Sequence, residues 1–232
     1  MTAAPDTWHY RQCVAPAFGE VSPDGSPVAV YLALAAREVP GLIQEAVAAG
    51  GSILELGCGA GRLTRPLIAL GHPVVAVDDS EAMLEHVTGA EKVCADLFTL
   101  DLGRRFDAVV AAGHLIHVPD RGRRQALLRV CRQHVSDDGV VLLDRWDPHW
   151  LATTATSDHV DGPVHINRRV LDRRDGEVDA TVTYRVGERS WTQTYTAAII
   201  DDEGLDENAA ACDLVHDGWL DTARTWARLR PR

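Results

Sequence analysis

The chain has 232 residues, 46% of them hydrophobic and 25% charged, which is enough to bury a full core in one domain or in one domain with an appended lobe. Its formal net charge of −11 argues against a broad nucleic-acid or anionic-membrane surface, since both require clustered Lys and Arg. The five cysteines are scattered and include no C-x-x-C pair, which excludes a disulfide framework. The N-terminus lacks a basic region and no apolar run reaches membrane-spanning length, so we expect a soluble, cytoplasmic protein.

The chain opens with a Pro/Gly-rich segment and an Ala/Leu-rich helix from about Val28, and from Ser52 onward strands alternate with helices. The predicted strands are Ser52–Leu56, Val74–Val77, Val93–Ala95, Ala108–Ala111 and Val140–Leu143. The predicted helices are Arg62–Leu70, a segment from a cap at Asp79 or Ser80 to about Val87, and Gly122–His134, which ends in the turn "SDDG". Because strands separated by helices imply right-handed crossovers, this pattern predicts a Rossmann-like, doubly wound α/β sheet.

The sequence changes character after Trp150. Three β-rich segments follow, joined by turns at Asp175-Gly176 and Gly187, and they predict an antiparallel β meander inserted after the fifth parallel strand. A short helix and two further strands then complete a sheet of about seven strands. These last elements are predicted at about Leu205–Ala211, Asp213–His216 and Thr225–Leu229.

The stretch "LELGCGAGRL" places Gly57, Gly59 and Gly61 between the first of these strands and a helix. Its G-x-G-x-G spacing lacks the third glycine of the dinucleotide fingerprint, whose position is Arg62, and no Gly-Lys-Ser/Thr follows as a P-loop requires. The glycines therefore indicate close approach of the backbone to a ligand, or a tight turn, without demanding phosphate. Glu55 beside the loop would repel a pyrophosphate and suits a cationic ligand such as S-adenosylmethionine.

Acidic residues also end the next two strands. Asp78 stands at the tip of the second strand, where a carboxylate can accept hydrogen bonds from both ribose hydroxyls. Asp96 ends the third strand, where it can accept from an adenine amino group while Leu97 packs on the ring. Each feature alone has a simpler explanation, such as a helix cap at Asp78. Three such elements at consecutive strand tips predict a nucleoside site, because ligands of these sheets bind at the carboxyl ends of the strands.

The segment "LELGCGAGRLTRPLIALGHPVVAVDDSEAMLEHV" resembles the cofactor-binding half of class I S-adenosylmethionine-dependent methyltransferases of the small-molecule type, and the resemblance extends over about Ser52–Arg145. It implies methionine contacts around Glu55 and the glycine loop, a ribose contact at Asp78, and adenine contacts at Asp96 and Leu97. The full set of candidate cofactor-binding residues is Glu55, Gly57, Cys58, Gly59, Gly61, Asp78, Asp79, Met83, Asp96, Leu97 and Ala112. In this set Asp79 is interpreted as a helix cap more readily than as a second ribose ligand.

Two further segments carry the resemblance beyond the core. "HDGWLDTARTWARLRP" resembles the closing strand pair of small-molecule members, and the meander resembles the substrate-side insertion of glycine N-methyltransferase-like relatives. Four regions are therefore expected. They are 1–50, an N-terminal lid or helical segment; 51–150, the S-adenosylmethionine-binding core; 151–203, the antiparallel substrate-side insertion; and 204–232, the completion of the core sheet.

The methyl acceptor is expected between the loops after the fourth and fifth strands, "AAGHLIHVPD" and "LLDRWDPHW", the N-terminal segment and the meander. His114 and His117 are candidate catalytic bases, which the reaction needs only if the acceptor must lose a proton. Either could instead be a structural or solvent-facing histidine. The candidate substrate-binding residues are Trp8, Tyr10, Trp146, His149 and Trp150, for which ordinary packing is the alternative.

No metal is expected, because Asp144 and Asp147 alone make a poor octahedral oxygen site. The sequence predicts transfer of a methyl group to an O or N atom of a small molecule, in specialised metabolism. One alternative is an enzyme of the same fold that uses S-adenosylmethionine for cyclisation, decarboxylation or rearrangement; another is a non-catalytic module that senses the cofactor. The expected partner is the small-molecule substrate, with no nucleic acid or membrane contact and with a homodimer left open.

Overall fold

The structure is a computed structural model that describes residues 10–14 and 21–232, with side chains from Val21 onward. The strands are β1 (Tyr10–Val14), β2 (Ile53–Leu56), β3 (Val74–Asp78), β4 (Glu91–Cys94), β5 (Phe106–Ala111), β6 (Val135–Asp144), β7 (Thr156–Asp161), β8 (Val164–Arg174), β9 (Glu177–Val186), β10 (Arg189–Ala198), β11 (Leu214–Trp219) and β12 (Trp226–Pro231). The helices are α1 (Val28–Ala33), α2 (Val39–Ala46), α3 (Thr64–Ala69), α4 (Glu81–Leu84), α5 (Arg121–His134), α6 (Pro148–Thr153) and α7 (Asp202–Ala210), with a single 3-10 turn at Leu115–His117.

Seven strands form the core sheet in the order β11-β12-β6-β5-β2-β3-β4. Strands β2 to β6 run parallel, and β12 lies antiparallel between β6 and β11. The strand order reverses between β2 and β5, which opens a crevice at the carboxyl ends of these strands. The Rossmann-like fold expected from the sequence is confirmed.

The apolar content of the central strands explains why they occupy the middle of the sheet. All residues of β2 and β3 are buried, as expected of parallel strands covered on both faces. On one face, Leu54 and Leu56 join a cluster that includes Leu127 of α5 and Leu205 of α7. The opposite face packs on α2 and α3. Helices on both faces leave the strand ends and their loops as the open surface.

A second, antiparallel sheet has five strands in the order β1-β10-β9-β8-β7. Four of them, β7 to β10, come from the segment after the fifth parallel strand. At the β8–β9 turn, Asp175 and Gly176 have φ values of 50° and 77°, the left-handed conformation that two-residue hairpins require. The predicted meander is therefore confirmed, with one strand more than expected. Strand β7 escaped prediction because "TSDHVD" is polar and mostly exposed, without alternation of apolar residues. The fifth strand, β1, comes from the N-terminal segment and pairs with β10.

Several element boundaries differ from the predictions. The "SDDG" residues lie inside β6, in an irregular stretch between Val135 and Val140, and are not a separate turn. The predicted N-terminal helix is divided into α1 and α2, with Arg37 in the left-handed region between them. Helix α4 ends at Leu84, before Val87. No helix in the described part of the chain is both long and apolar enough to cross a membrane.

Candidate active site

Two cavities meet at the crevice of the core sheet, and Tyr31 and Gly113 contribute to the walls of both. The first cavity lies over the ends of β2 and β3 and is here termed the nucleoside cavity. Its wall consists of Ser22, Asp24, Ser26, Tyr31, Gly57, Gly59, Asp78, Asp79, Met83, Leu97, Ala112, Gly113 and Leu115. Seven of the eleven candidate cofactor-binding residues are in this wall.

The loop after β2 forms the floor of the nucleoside cavity. Gly57 and Gly59 have φ values of 70° and 54°, which L-residues rarely adopt. A Cβ atom on Gly57 would lie 3.1 Å from Leu115 Cδ1, so a larger residue would also crowd the wall. The loop is held by Val77, whose carbonyl oxygen accepts from the N–H groups of Gly57 at 2.8 Å and Cys58 at 3.0 Å. The glycines thus keep the floor open and the backbone close to a ligand.

Asp78 both fastens this loop and faces the cavity. One carboxylate oxygen accepts from the Gly59 N–H at 2.8 Å, and the other accepts from the Ser80 N–H at 3.0 Å. Burial raises the pKa of Asp78 to about 6, although the two N–H donors act in the opposite direction. Each carboxylate oxygen can accept more than one hydrogen bond, so Asp78 retains capacity for ligand hydroxyls.

Asp79 lies in the cavity wall and does not cap α4. The cap is Ser80, whose Oγ accepts from the Met83 N–H at 3.3 Å. The interpretation of Asp79 as a helix cap is therefore wrong, and beside Asp78 it is a second acidic residue in the cavity wall.

The N-terminal segment supplies the cover of the nucleoside cavity. Asp24 accepts hydrogen bonds from the hydroxyls of Ser22 and Ser26 and from the Ser26 N–H. The Ser26 hydroxyl lies 3.4 Å from Tyr31 Oη. No motif in the sequence marks these residues, because they reach the cavity only through the path of the folded segment.

The charge of the nucleoside cavity is strongly one-sided. Asp24, Asp78 and Asp79 contribute to its wall, whereas none of its described wall residues is Lys or Arg. Such a site favours a cationic ligand and disfavours a pyrophosphate. The apolar side chains of Met83, Leu97 and Leu115 add a surface on which a flat ring can pack.

Glu55 does not carry this negative charge into the cavity, contrary to the prediction. Its side chain is only 1% exposed, and its carboxylate accepts from the Thr64 hydroxyl at 2.6 Å. Alternation along β2 directs residue 55 toward the face opposite Leu54 and Leu56, under the start of α3. Burial raises the pKa of Glu55 to about 7, while the Thr64 hydroxyl and the charge of Arg62 lower it.

Three further candidates lie outside the nucleoside cavity wall. Cys58 is buried among Ala76, Leu84 and Val87, and burial raises the pKa of its thiol. Gly61 has a φ of 81° and serves the turn into α3. Asp96 is exposed at the rim, where one carboxylate oxygen accepts from the Phe98 N–H at 2.7 Å.

The second cavity, here termed the acceptor cavity, has a volume of ≈ 370 Å³ and lies between the core sheet and the five-stranded sheet. Its wall contains Tyr31, Leu34, Arg37, Val39, Arg62, Gly113, His114, Asp144, Trp146, His159, Asp161, Ile166, Arg168, Val182, Tyr184, Tyr195 and Trp226. A volume of this size suits a small molecule. Of the seven candidate catalytic and substrate-binding residues, His114 and Trp146 are in this wall.

His114 is held in place from two sides. Its Nδ1 lies 3.2 Å from Asp144 Oδ1, and its ring stacks on Trp146 with 4.4 Å between ring centroids. Asp144 also accepts from the Gly113 N–H at 3.2 Å. Burial acts to raise the pKa of Asp144, but the charge of His114 and the hydrogen bonds from His114 and Gly113 hold it below its usual range. The carboxylate thus stays ionised beside the imidazole.

The backbone at His114 is strained, with a φ of 64°, a conformation uncommon outside glycine. Together with the Asp144 contact, this turn presents the imidazole to the cavity. The sequence named His114 but did not associate it with Asp144 as a base-orienting pair, because the two residues lie on different loops.

His117 has a structural environment. It is fully buried, its Nδ1 lies 2.7 Å from the Ala198 carbonyl oxygen, and its Nε2 accepts from the Trp146 N–H at 2.8 Å. Burial lowers the pKa of His117 to about 3, so the ring is neutral near neutral pH. Both ring nitrogens are engaged by the backbone, so His117 cannot accept a proton from a substrate in the cavity; its candidacy as a base is corrected.

The other candidate substrate-binding residues lie in three different places. Trp150 lies beside the acceptor cavity, in a neighbouring pocket that also includes His114, Trp146 and Arg168. His149 is exposed on α6 and belongs to neither cavity wall. Tyr10 lies in β1, but its side chain, like Trp8, is outside the described residues. Among the side chains described, no three His, Cys, Asp or Glu residues gather as a metal ion would require.

Comparison with known proteins agrees with this geometry. Residues 53–139 match the family described as methyltransferase domain. Residues 53–139 of this chain thus resemble a methyltransferase domain. The resemblance to class I S-adenosylmethionine-dependent methyltransferases is confirmed, and S-adenosylmethionine is the cofactor of that family.

Curated proteins similar to this chain include ubiquinone biosynthesis O-methyltransferases. The protein from Bradyrhizobium diazoefficiens is 29% identical over 106 residues, which cover 42% of this chain and 41% of that protein. A second, from another Bradyrhizobium, is 32% identical over 106 residues with the same shares. The chain therefore matches about two fifths of the length of these relatives.

Solved structures share the fold over a larger part of the chain. An S-adenosylmethionine-dependent methyltransferase from Clostridium acetobutylicum has a TM-score of 0.72 at 16% identity, covering 87% of this chain and 94% of its own. A sugar N-methyltransferase from Streptoalloteichus has a TM-score of 0.70 at 21% identity, covering 95% and 96%. An amino pentose methyltransferase from Micromonospora echinaspora, described as involved in calicheamicin biosynthesis, has a TM-score of 0.66 at 22% identity, covering 85% and 90%.

Proposed function

We propose that this chain transfers a methyl group from S-adenosylmethionine to an oxygen or nitrogen atom of a small molecule, with a hydroxyl as the favoured acceptor. The observation that carries the proposal is the junction of two unlike cavities at Gly113. One is acidic and glycine-floored, and the other is aromatic and contains an oriented histidine. Such a junction would place a methyl donor and an acceptor side by side.

The nucleoside cavity fits the donor. Asp78 is the proposed partner of the ribose hydroxyls, with Asp79 beside it, and Met83 and Leu97 would pack against the adenine. Gly57 and Gly59 admit the methionine portion, whose positive charge is matched by the acidic wall. When bound, S-adenosylmethionine supplies a sulfonium-activated methyl group.

This chain's own contribution to the reaction is positioning, exclusion of water and removal of a proton. Gly113 and Tyr31, shared by the two cavities, set how close the two ligands approach. His114 is proposed to take the proton of an acceptor hydroxyl at Nε2, because its Nδ1 faces Asp144. Asp144, ionised beside the ring, would stabilise the imidazolium that forms.

His117 is proposed as a positioning residue. It accepts the Trp146 N–H and contacts Ala198 at the end of β10, so it links the loop after β5 to both the loop after β6 and the five-stranded sheet. Trp146 is thereby fixed as the platform on which His114 stacks. The proposed boundaries of the core, the insertion and the C-terminal completion follow the same division between the two sheets.

We place the reaction in specialised metabolism. Support comes from the amino pentose methyltransferase, described as involved in calicheamicin biosynthesis, which has the same fold. The acceptor atom is an oxygen in the curated relatives' names and a nitrogen in that of the Streptoalloteichus enzyme. The His114–Asp144 pair favours oxygen, because a hydroxyl needs a base and a neutral amine does not need one before attack.

The test is mass spectrometry of the purified protein incubated with S-adenosylmethionine and a panel of hydroxybenzoates, catechols and amino sugars. The expected result is a product that has gained one methyl group, with release of S-adenosylhomocysteine. Consumption of the cofactor without a methylated product would contradict methyl transfer. Tight binding of NAD in calorimetry, with none of S-adenosylmethionine, would contradict the assignment of the nucleoside cavity.

A further inference from the structure

The charges around the acceptor cavity do not cancel. Its wall contains Arg37, Arg62 and Arg168 but only two acids, Asp144 and Asp161. Asp161 accepts from Arg37 Nε at 3.1 Å. Asp144 is engaged by His114 and also lies in the field of Arg62. Among the described residues neither Arg62 nor Arg168 forms a salt bridge, so the wall of this cavity carries excess positive charge in a protein of net charge −11.

Tyr195 of β10 is the described hydrogen-bond partner of the Arg168 side chain. No carboxylate in the described part of the chain forms a salt bridge with Arg168. Burial raises the pKa of Tyr195 to about 12, against the influence of Arg168, so the phenol stays protonated. The pKa of His159 is lowered by burial and then by the charges of Arg168 and Arg37. The wall near Arg168 is thus electropositive.

A second observation concerns hydrogen bonding beside Arg168. Four residues on neighbouring strands form one row across the five-stranded sheet. In order from β7 to β10 they are Ser157, Arg168, Val182 and Gln193. The Ser157 hydroxyl oxygen is buried and has no hydrogen-bond partner among the described residues, and the same is true of both Gln193 amide atoms. Buried polar groups are usually paired, and Ser157 lines the pocket that it shares with Arg168, so a bound ligand there would supply the missing partner of its hydroxyl.

We propose that Arg168 and Ser157 bind an anionic oxygen group, a carboxylate or a phosphate, of the methyl acceptor. This inference rests on the proposed methyl transfer and adds the chemical class of its substrate. The guanidinium offers several N–H donors in the planar arrangement that such groups accept, and the Ser157 hydroxyl adds one more. His114 and Trp146 line the same two pockets as Arg168, so the anion and the methylated atom would belong to one molecule.

The matched control is Arg169, the next residue of β8. It is exposed and, by alternation along the strand, directed to the other face of the sheet. R168Q and R169Q remove the same charge from the protein, so a difference between them reports the location of the charge and not the net charge. R168K retains a charge but loses the planar fork, and is expected to bind more weakly than wild type and more tightly than R168Q.

The experiment measures binding of inorganic phosphate and of acetate to the full chain by calorimetry, at constant ionic strength, after thermal melts have shown that each variant is folded. We expect R168Q to weaken binding of at least one anion about tenfold or more, S157A to weaken it severalfold, and R169Q to leave it within about twofold. A loss confined to phosphate identifies a phosphate-bearing acceptor, and a loss confined to acetate identifies a carboxylate-bearing one.

Equal affinities in R168Q and R169Q for both anions would overturn the proposal, as would failure of the wild-type chain to bind either anion. The readout involves no catalysis, so it separates this inference from the proposed function. Retained Arg168-dependent anion binding with no methyl transfer to any acceptor would contradict the function alone. An unchanged KM in R168Q for an anionic acceptor that the chain methylates would contradict the anion site alone.

Discussion

The two cavities of this protein differ in how they are built. The nucleoside cavity takes most of its wall from the ends of consecutive parallel strands, with short loops held by backbone hydrogen bonds to Val77 and Asp78. The acceptor cavity takes its wall from residues as far apart in sequence as Tyr31 of α1 and Trp226 of β12, and from strands of both sheets. The first is acidic and the second contains an excess of arginine. Proximity at Gly113 therefore joins two environments of opposite charge.

This contrast explains why one fold can serve many acceptors. The nucleoside cavity depends on local turns with positive φ at Gly57 and Gly59, whereas much of the acceptor cavity wall comes from a separate, inserted sheet. We therefore expect substitutions in the nucleoside cavity to alter the Kd for S-adenosylmethionine and to leave kcat at saturating cofactor unchanged. Substitutions in the acceptor cavity should lower kcat and leave the Kd for S-adenosylmethionine unchanged.

The largest expected effect is at His114. H114Q removes the proposed base, so kcat for a hydroxyl acceptor should fall roughly 10²- to 10⁴-fold, the range of general-base contributions. The Kd for S-adenosylmethionine should stay unchanged, because His114 lies outside the nucleoside cavity wall. Steady-state kinetics and calorimetry check both values. H165Q, at an exposed histidine of β8, is the control; a parallel loss of cofactor affinity in H114Q would make His114 structural.

Glu55 should influence neither cavity, but its ionisation should change the free energy of unfolding with pH. A carboxyl whose folded pKa is about 7, against an ordinary value of 4.5, binds its proton more tightly in the folded state. Ionising it therefore destabilises the fold as pH rises from about 4.5 to 7, by about 3 kcal/mol in total. E55Q should remove this contribution, so its stability relative to wild type should increase by about that amount between pH 4.5 and pH 8.

Urea unfolding at the two pH values measures the difference for E55Q. E45Q, at an exposed glutamate of α2, is the control and should show no such change. A relative stability of E55Q that is the same at both pH values would mean that Glu55 ionises as freely in the folded chain as in the unfolded one.

Asp144 should act on the acceptor side alone, through His114. D144N keeps the size of the side chain but removes the charge that would stabilise the imidazolium, so kcat should fall about 10- to 100-fold, the scale of a charged hydrogen bond. Steady-state kinetics with a hydroxyl acceptor measure the change, with the Kd for S-adenosylmethionine as the reference for an intact fold. An unchanged kcat in D144N would contradict the role of Asp144 beside His114.

Asp78 should act on the donor side alone. D78A removes the acceptor for the ribose hydroxyls and for the Gly59 and Ser80 N–H groups, so cofactor binding should weaken by about 1–3 kcal/mol. With saturating cofactor, kcat should recover. D96A should cost less, because Asp96 is exposed at the rim and one of its oxygens already accepts from Phe98. Calorimetry with S-adenosylmethionine ranks the two; the reverse order would contradict the placement of the ribose at Asp78.

Much of the nucleoside cavity could be predicted from the sequence. Residues such as Gly57, Gly59 and Asp78 stand at strand ends, and a parallel sheet brings such ends to one edge. The prediction was wrong at Glu55 because it used position along the chain without the alternation of the strand, which turns the side chain toward Thr64. The cover by Asp24 and Ser26 was missed, because nothing local marks a segment that folds back over the sheet.

The acceptor cavity was predicted only in outline. His114 and Trp146 were named, but His117, on the same loop, is buried with both ring nitrogens bonded, a difference that three positions of sequence do not reveal. Arg168 carried no signal at all, since arginine on a strand usually faces water. Its place in the cavity depends on the docking of the five-stranded sheet against the core.

The order of strands and helices, the glycine loop and the acids at the strand ends can be read from local patterns in the sequence. Each of these depends on neighbours within a few residues, through backbone conformation and the alternation of apolar side chains. Tertiary contacts bury Glu55 and His117, hold His114 at the acceptor cavity and bring Arg168 into its wall. Burial and charge pairing depend on residues distant in sequence, and those contacts exist only once the two sheets have packed together.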